Sequence, residues 1–375
     1  MLPELKTERR VDAQLQRHRL RHIGFVGAMI VALAIMAGWG GEHSSAANTG
    51  PSTQTRGFNL DHCIIDARQI LSGGPAKDGI PALTAPKVVP VADADFPEAR
   101  GQVVGVVIGE QARAYPIGIL DWHEAINDTL GGVPIVVTHC PLCRSSLVFR
   151  RDVGGKVREF GISGLLYQSN VLLYDRQART KDESLWSQAA MTAVCGTAAK
   201  LGLRLELVDS TLTTFGDWRT QHPDSTVVSL ETGYDRPYRQ QAYSGYFGSD
   251  RLMFPVANRT DRRPDLRDKD MVLVVMIGDQ MKAYPYADLK ADTDHLIEDD
   301  LGGLGLRIEY QAGSGRVDVE TVTLPGEKPV SVQKAYMFWF TYDSNYPQGQ
   351  VYNPARPGTN TESGRSHHWR RSTSW

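Results

Sequence analysis

The chain has 375 residues, 41% of them hydrophobic, enough to bury a sizeable core in one large domain or two modest ones. A formal net charge of −2 excludes a broad electrostatic case for nucleic-acid binding. Four cysteines at this length exclude a disulfide-framework protein.

At the N-terminus, Arg9, Arg10, Arg17, Arg19 and Arg21 precede an uncharged apolar run from Ile23 to Trp39. This pattern predicts a basic cytoplasmic region over 1–22 and a signal anchor or signal-peptide core over 23–40. Residues beyond about 45 are then expected outside the cytoplasmic membrane, periplasmic or at the cell surface. They would be held there by the N-terminal helix, or secreted if Ser45-Ala46-Ala47 is cleaved. Residues 41–58 are small and polar and read as a linker, and 59–354 as the folded domain. The stretch 355–375 is rich in Gly, Ser and Arg and reads as a disordered basic tail that includes His367 and His368.

Within the folded part, Val103–Ile108 and Gln111–Tyr115 predict a hairpin about Gly109-Glu110, ended by Pro116. Ile119, Trp122, Ile126 and Leu130 recur at helical spacing, predicting a helix over 119–129 that Gly131-Gly132 stops. Pro134–Thr138 reads as a buried strand. Leu147–Arg151 and Val157–Ile162 read as a hairpin about Gly154-Gly155, and Val171–Tyr174 as a further strand. Thr214–His222 reads as a short helix with Thr214 and Asp217 as its capping pair.

A second copy of the first segment follows. Val107-Ile108-Gly109-Glu110-Gln111 through Tyr115-Pro116 parallels Met276-Ile277-Gly278-Asp279-Gln280 through Tyr284-Pro285, and Leu130-Gly131-Gly132 parallels Leu301-Gly302-Gly303. The fold class expected is therefore α+β and β-rich, with two related hairpin-helix-strand units, about 101–140 and 270–311, in one globular region. The second copy lacks counterparts of His123, Glu124, His139, Cys140 and Cys143, which places those residues with chemistry rather than folding.

Cys140-Pro141-Leu142-Cys143 can close a small disulfide ring or hold a soft metal ion. His139 and His123, with Arg144, are the nearby groups able to stabilise a thiolate, and Glu124 can orient His123 or shuttle a proton. A strand follows the motif at Leu147, so the architecture is not thioredoxin-like and no helix dipole is available to the thiols. Three readings stay open. Thiol-based redox uses Cys140, Cys143, His139, His123 and Glu124 on a thiol, disulfide or small-molecule substrate, as a possible thiol–disulfide oxidoreductase. Copper or zinc binding, as a carrier or chaperone, uses Cys140, Cys143, His139 and His123 as ligands. A non-catalytic binding module would keep the two cysteines as a structural disulfide. Cys63 and Cys195 are expected to form a structural disulfide, with two free buried thiols as the alternative. Tyr167, Asn170 and Asp175 are candidate pocket residues, and Trp186-Ser187-Gln188 a candidate wall.

Several stretches resemble the bacterial family called domain of unknown function 3179. They are Lys77-Asp78-Gly79-Ile80-Pro81-Ala82, Ala114-Tyr115-Pro116, Trp122-His123-Glu124 with Asn127-Asp128, and Thr138-His139-Cys140-Pro141-Leu142-Cys143. Gly161 to Tyr167, Tyr174-Asp175-Arg176, Leu185-Trp186-Ser187-Gln188 and Phe338-Trp339-Phe340 extend the likeness over about residues 70–350. The resemblance implies an extracytoplasmic protein of unestablished activity. Selenium in the cysteine motif of some members implies redox chemistry, because a selenol is ionised at neutral pH. Arg144 departs from the small residue, such as glycine, expected after the motif.

Overall fold

The structure, a computed structural model, describes residues 57–260, 262–292, 294–322 and 330–354. The basic segment, the apolar run 23–40, nearly all of the linker and the 355–375 tail lie outside the described residues. Among the described residues no helix is long and apolar enough to cross a membrane.

The duplicated unit is present twice. Gln102–Ile108 pairs with Gln111–Pro116, helix Ile117–His123 follows, and Ala125–Leu130 then pairs with Val133–Cys140. In the second unit the same order is Met271–Ile277, Gln280–Pro285, helix Tyr286–Ala291, Leu296–Leu301 and Leu304–Gln311. Both second hairpins turn on two glycines of positive φ, Gly131 (55°) with Gly132 (76°) and Gly302 (64°) with Gly303 (84°). That is the mirror-image turn whose twist matches the strands it joins.

Each unit carries the same clasp. Arg113 (2.5 Å) and the Tyr115 hydroxyl (2.8 Å) converge on Asp128. Lys282 (2.6 Å) and the Tyr284 hydroxyl (2.9 Å) converge on Asp299. These partly buried ion pairs bind the first hairpin of a unit to its second.

The repeat extends further than the sequence reading placed it. Thr211–Thr214, helix Phe215–Gln221 and Thr226–Val228 complete the first unit; Gln333–Phe338, helix Trp339–Asn345 and Gln350–Val351 complete the second. In both, the leading strand pairs antiparallel with the unit's first strand and the trailing strand pairs parallel with its second. Thr214 caps its helix by accepting from the Asp217 N–H, as expected.

Three expectations are corrected. The helix ends at His123, not 129: Glu124 adopts a left-handed φ of 55° and Ala125 begins a strand. Ile126 and Leu130 lie four apart, a spacing that suits one face of a strand as well as a helix. Gly131-Gly132 is accordingly a hairpin turn and not a helix stop. The strand after the cysteine motif, Ser145–Arg150, pairs with Val133–Cys140, whereas Phe160–Tyr167 pairs with Asn170–Asp175. Only a short ladder, Asp152–Val153 with Lys156–Val157, forms about Gly154-Gly155.

Among the described residues the central sheet runs in the order Leu83–Thr84, Ala125–Leu130, Val133–Cys140, Ser145–Arg150, Gln333–Phe338, Met271–Ile277, Gln280–Pro285, Gln350–Val351. It joins the second hairpin of one unit to the first hairpin of the other. Between its second hairpin and its completing strand the first unit holds residues 141–210, where the second holds only 312–332. That longer segment supplies Phe160–Tyr167, Asn170–Asp175, Leu185–Ser187 and Thr192–Cys195 to a further sheet, which Leu71–Ser72 completes.

Cys63 and Cys195 are disulfide-bonded across a sequence separation of 132, as the sequence led us to expect. The bond ties the start of the described chain to the last strand of that sheet. Closing a long loop removes conformational freedom from the unfolded chain. Replacing both with serine is expected to lower unfolding stability by about 2–5 kcal/mol, measured by denaturant titration.

Candidate functional site

The strand Val133–Cys140 keeps its pairing into the motif: His139 lies opposite Ser146 and Cys140 opposite Ser145. Pro141 to Arg144 form the turn of this hairpin, so the thiols sit at no helix N-terminus. The Cys143 N–H donates to the Cys140 carbonyl (3.3 Å), and the Cys143 carbonyl accepts from the Phe338 N–H (2.8 Å). Side chains alternate along the strand: Val136 and Cys140 enter one apolar cluster, Ile135 and Val137 another. His139 therefore faces away from Cys140, which corrects its expected place beside the thiols.

On the thiol face, Cys140 and Cys143 are free of disulfide and buried. A polar network surrounds Cys143. The Asn170 side-chain oxygen accepts from the Ala189 N–H (3.0 Å), which turns its amide hydrogens toward the Cys143 sulfur (3.0 Å) and Gln188 Oε1 (2.8 Å). The Ser145 hydroxyl lies 3.3 Å from the same sulfur and 2.6 Å from Gln188 Oε1, with one hydrogen that either acceptor can take. Gln188 in turn donates to Thr138 Oγ1 (2.9 Å), whose own hydrogen goes to the Leu147 carbonyl (2.8 Å). The buried Thr341 hydroxyl lies against the same sulfur and has no other hydrogen-bond partner among the described residues.

Burial pushes the Cys143 thiol up, but hydrogen bonds from Cys140, Ser145, Asn170 and Thr341 outweigh it and hold Cys143 below the ordinary thiol value. Cys140 is driven the other way, first by burial and then by its hydrogen bond to Cys143 and the negative groups Cys143 and Glu124. The two thiols are thus pushed in opposite directions, Cys143 down and Cys140 up. Glu124 belongs to the same site. Burial, the Cys143 sulfur and Asp121 raise its carboxyl to about 8. Its left-handed backbone turns it out of the helix, and its carbonyl accepts from the His139 N–H (2.8 Å).

Cys140 is 1% exposed and Cys143 is 0% exposed, so a reagent reaches neither without movement of the chain above them. That chain includes Tyr243 and the helical turn Ser244–Phe247. The Tyr243 and Tyr246 hydroxyls are raised by burial and by the neighbouring cysteines, and for Tyr243 also by Glu124. The Tyr246 hydroxyl donates to the Leu142 carbonyl (2.8 Å). Lys269 fastens the segment from its far side, donating to the Tyr246 (2.7 Å) and Ser249 (2.5 Å) carbonyls with its ammonium 3.3 Å from the Tyr246 ring centre.

The opposite face holds His139, whose Nδ1 shares a hydrogen bond with Ser146 Oγ (2.9 Å) and whose Nε2 lies 3.3 Å from Asp121 Oδ1. His139, Asp121 and Arg144 line a cavity of about 410 Å³ that reaches neither cysteine. Arg144 has a φ of 45°, a left-handed conformation that costs a residue with a β-carbon about 1 kcal/mol.

His123 is fastened elsewhere. The Pro81 carbonyl (2.7 Å) can only accept, so Nδ1 carries the hydrogen, and Nε2 accepts from the Tyr238 hydroxyl (2.7 Å). Burial pushes this imidazole below its ordinary value, consistent with a neutral ring. Both nitrogens are engaged, which removes His123 from the expected set around the thiols. Cys140, Cys143, His139 and His123 do not converge. Among the described residues no group of three or more His, Cys, Asp and Glu side chains is placed to hold a metal ion.

Of the other candidates, Asn170 and Gln188 join the thiol network. Asp175 instead accepts from Arg158, the Ser184 N–H and Trp186 Nε1. Trp186 is core, and Tyr167 packs with Leu165 and Leu172 in a separate apolar cluster. Sequence reading missed Ser145, Thr138, Thr341, Asp121, Tyr243 and Tyr246. For Thr138 and Ser145 the available signal was a polar residue at an inward position of an otherwise apolar strand; the other four carried none.

A family model described as "Protein of unknown function (DUF3179)" matches residues 77–363. No curated protein and no solved structure matches the chain.

The raised Glu124 carboxyl has a stability consequence. Folded Glu124 keeps its proton to about 8, whereas the ordinary value is 4.5. Its contribution to stability is full below the lower value and is lost as pH rises through the higher one. Glu124→Gln keeps the neutral form at every pH and is expected to flatten the stability curve across that interval, as followed by urea unfolding. Lys269→Met removes both carbonyl bonds that fasten the covering segment. We expect iodoacetamide to label Cys140 and Cys143 roughly tenfold faster in this variant; an unchanged rate places the barrier elsewhere.

Proposed function

Because the chain belongs to the family of proteins of unknown function DUF3179, a membership that assigns no chemistry, we propose its activity from the site itself: thiol–disulfide exchange through Cys140 and Cys143. The observation that carries this reading is the asymmetry of the pair: the Asn170 amide donates to the Cys143 sulfur (3.0 Å), and the Cys140 thiol, pushed up by burial, has no such donor among the described residues. A purely structural thiol pair needs neither an oriented donor nor an adjacent acid.

In this reaction the Cys143 thiolate attacks one sulfur of a substrate disulfide. A bond forms between Cys143 Sγ and that sulfur, and the other substrate sulfur leaves as a thiolate. The charge on Cys143 is then gone. It had been one of the groups raising Glu124, so the carboxyl becomes more acidic, gives its own proton to the departing substrate thiolate, and as a carboxylate takes the Cys140 proton. The Cys140 thiolate attacks Cys143 Sγ, closes the Cys140–Cys143 disulfide and expels the second substrate thiolate, which is protonated from solvent. Two protein thiols are oxidised and one substrate disulfide is reduced; the reverse sequence oxidises a dithiol. His139 and His123 take no step, since one faces away and the other is bonded to Pro81 and Tyr238.

The site is proposed to work outside the cytoplasmic membrane. The arginine-rich segment before 23–40 supports that location, and the Cys63–Cys195 disulfide is compatible with it. The test is reaction of the reduced protein with oxidised glutathione, followed by mass spectrometry. The wild type is expected to close a Cys140–Cys143 disulfide, and Cys140→Ser to stop as a glutathione adduct on Cys143. Cys143→Ser should react roughly a hundredfold more slowly for want of the attacking thiolate. No exchange, or trapping on Cys140, overturns the proposal.

A further inference from the structure

The cavity on the other face of the motif strand is separate from the thiols and stands independently of their chemistry. Its volume, about 410 Å³, lies within the range that takes small organic ligands. Three polar groups line it with hydrogen-bonding capacity left over. The Arg144 guanidinium is half-buried and makes no ion pair among the described residues; its one hydrogen bond there runs to Gln102 Oε1 (2.6 Å), and it lies 5.2 Å from the Phe247 ring centre. Asp121 Oδ1 and His139 Nε2 are buried and lie 3.3 Å from each other, and neither makes a hydrogen bond among the described residues. Arg144 also sits at a left-handed position where glycine is cheaper, so its side chain supplies something the backbone does not require.

We propose that this cavity binds a small organic carboxylate with a hydrogen-bond donor on the carbon beside its carboxyl group and an apolar body. The carboxylate meets the planar donor fork of Arg144. The donor, a hydroxyl or an ammonium, reaches Asp121, and His139 Nε2 completes its hydrogen bonding. The apolar body lies against Phe96, Ile117 and Phe247. A bare dianion such as phosphate is disfavoured because Asp121 would repel it, whereas a donor beside the carboxyl group turns that repulsion into a hydrogen bond.

Calorimetric titration of the full chain with L-phenylalanine, mandelate and phenylacetate tests the assignment. At least one of the first two, which carry the ammonium or the hydroxyl, is expected to bind roughly tenfold or more tighter than phenylacetate, which carries neither. Asp121→Asn weakens phenylalanine more than mandelate if the natural donor is an ammonium, and both alike if it is a hydroxyl. Arg144→Gly is expected to abolish binding while its melting temperature holds or rises, since glycine relieves the left-handed position. The proposal is overturned if none of the three binds, if phenylacetate binds as well as the others, or if Arg144→Gly retains affinity.

Discussion

Side chains on a β-strand alternate, and the arrangement of both candidate sites hangs on that alternation along Val133–Cys140. Cys140 turns toward the sheet built from residues 160–195 and shares its face with Val136. His139 turns toward helix Ile117–His123 and Asp121. One hairpin therefore presents two chemistries, a dithiol on one face and an imidazole–carboxylate pair on the other. The turn Pro141 to Arg144 links them, since Cys143 faces the thiols while Arg144 lines the cavity. The left-handed backbone at Arg144 is where the chain passes from one face to the other.

The duplication explains why such a site is possible. In both units the second hairpin begins at a left-handed residue whose carbonyl accepts from a strand N–H: Glu124 from His139, His295 from Tyr310, each at 2.8 Å. The clasps at Asp128 and Asp299 are likewise shared. Scaffold and register are thus common property, set by backbone bonds and buried ion pairs. The first unit differs in its long segment 141–210, which places Asn170 and Gln188 over the motif. The second unit contributes Thr341 from its completing helix and the Phe338 N–H that holds the Cys143 carbonyl. The thiol site is accordingly made by both units, although the cysteines belong to one.

Burial gives the thiols their character and also limits them. In a low-dielectric interior each hydrogen bond and each nearby charge counts for more than in water. That is why a few oriented donors separate Cys143 from Cys140, and why a carboxyl beside them titrates near neutrality. The same burial closes the site beneath Tyr243 and Tyr246. Lys269 reaches that covering segment from outside, so access is governed by contacts distant in sequence from the motif. The residues that surround the sulfurs and those that fasten the covering segment are therefore different.

Much of this was legible in residues alone. The hairpin about Gly109-Glu110, the Thr214 cap, the repeat order and the β-rich class follow from local periodicity and turn chemistry, which act over a few neighbours. The C-x-x-C spacing marked the candidate site, and its departure from thioredoxin architecture followed from the strand after it. Tertiary structure alone decided what surrounds the sulfurs. A spacing of four at Ile126 and Leu130 fits two periods, and only pairing with Val133–Cys140 resolved it. Chain proximity put His139 beside Cys140, whereas the pleat put them on opposite faces. Asn170, Gln188 and Thr341 reach the motif across many residues, because sheet packing, not sequence distance, determines which side chains share a low-dielectric site.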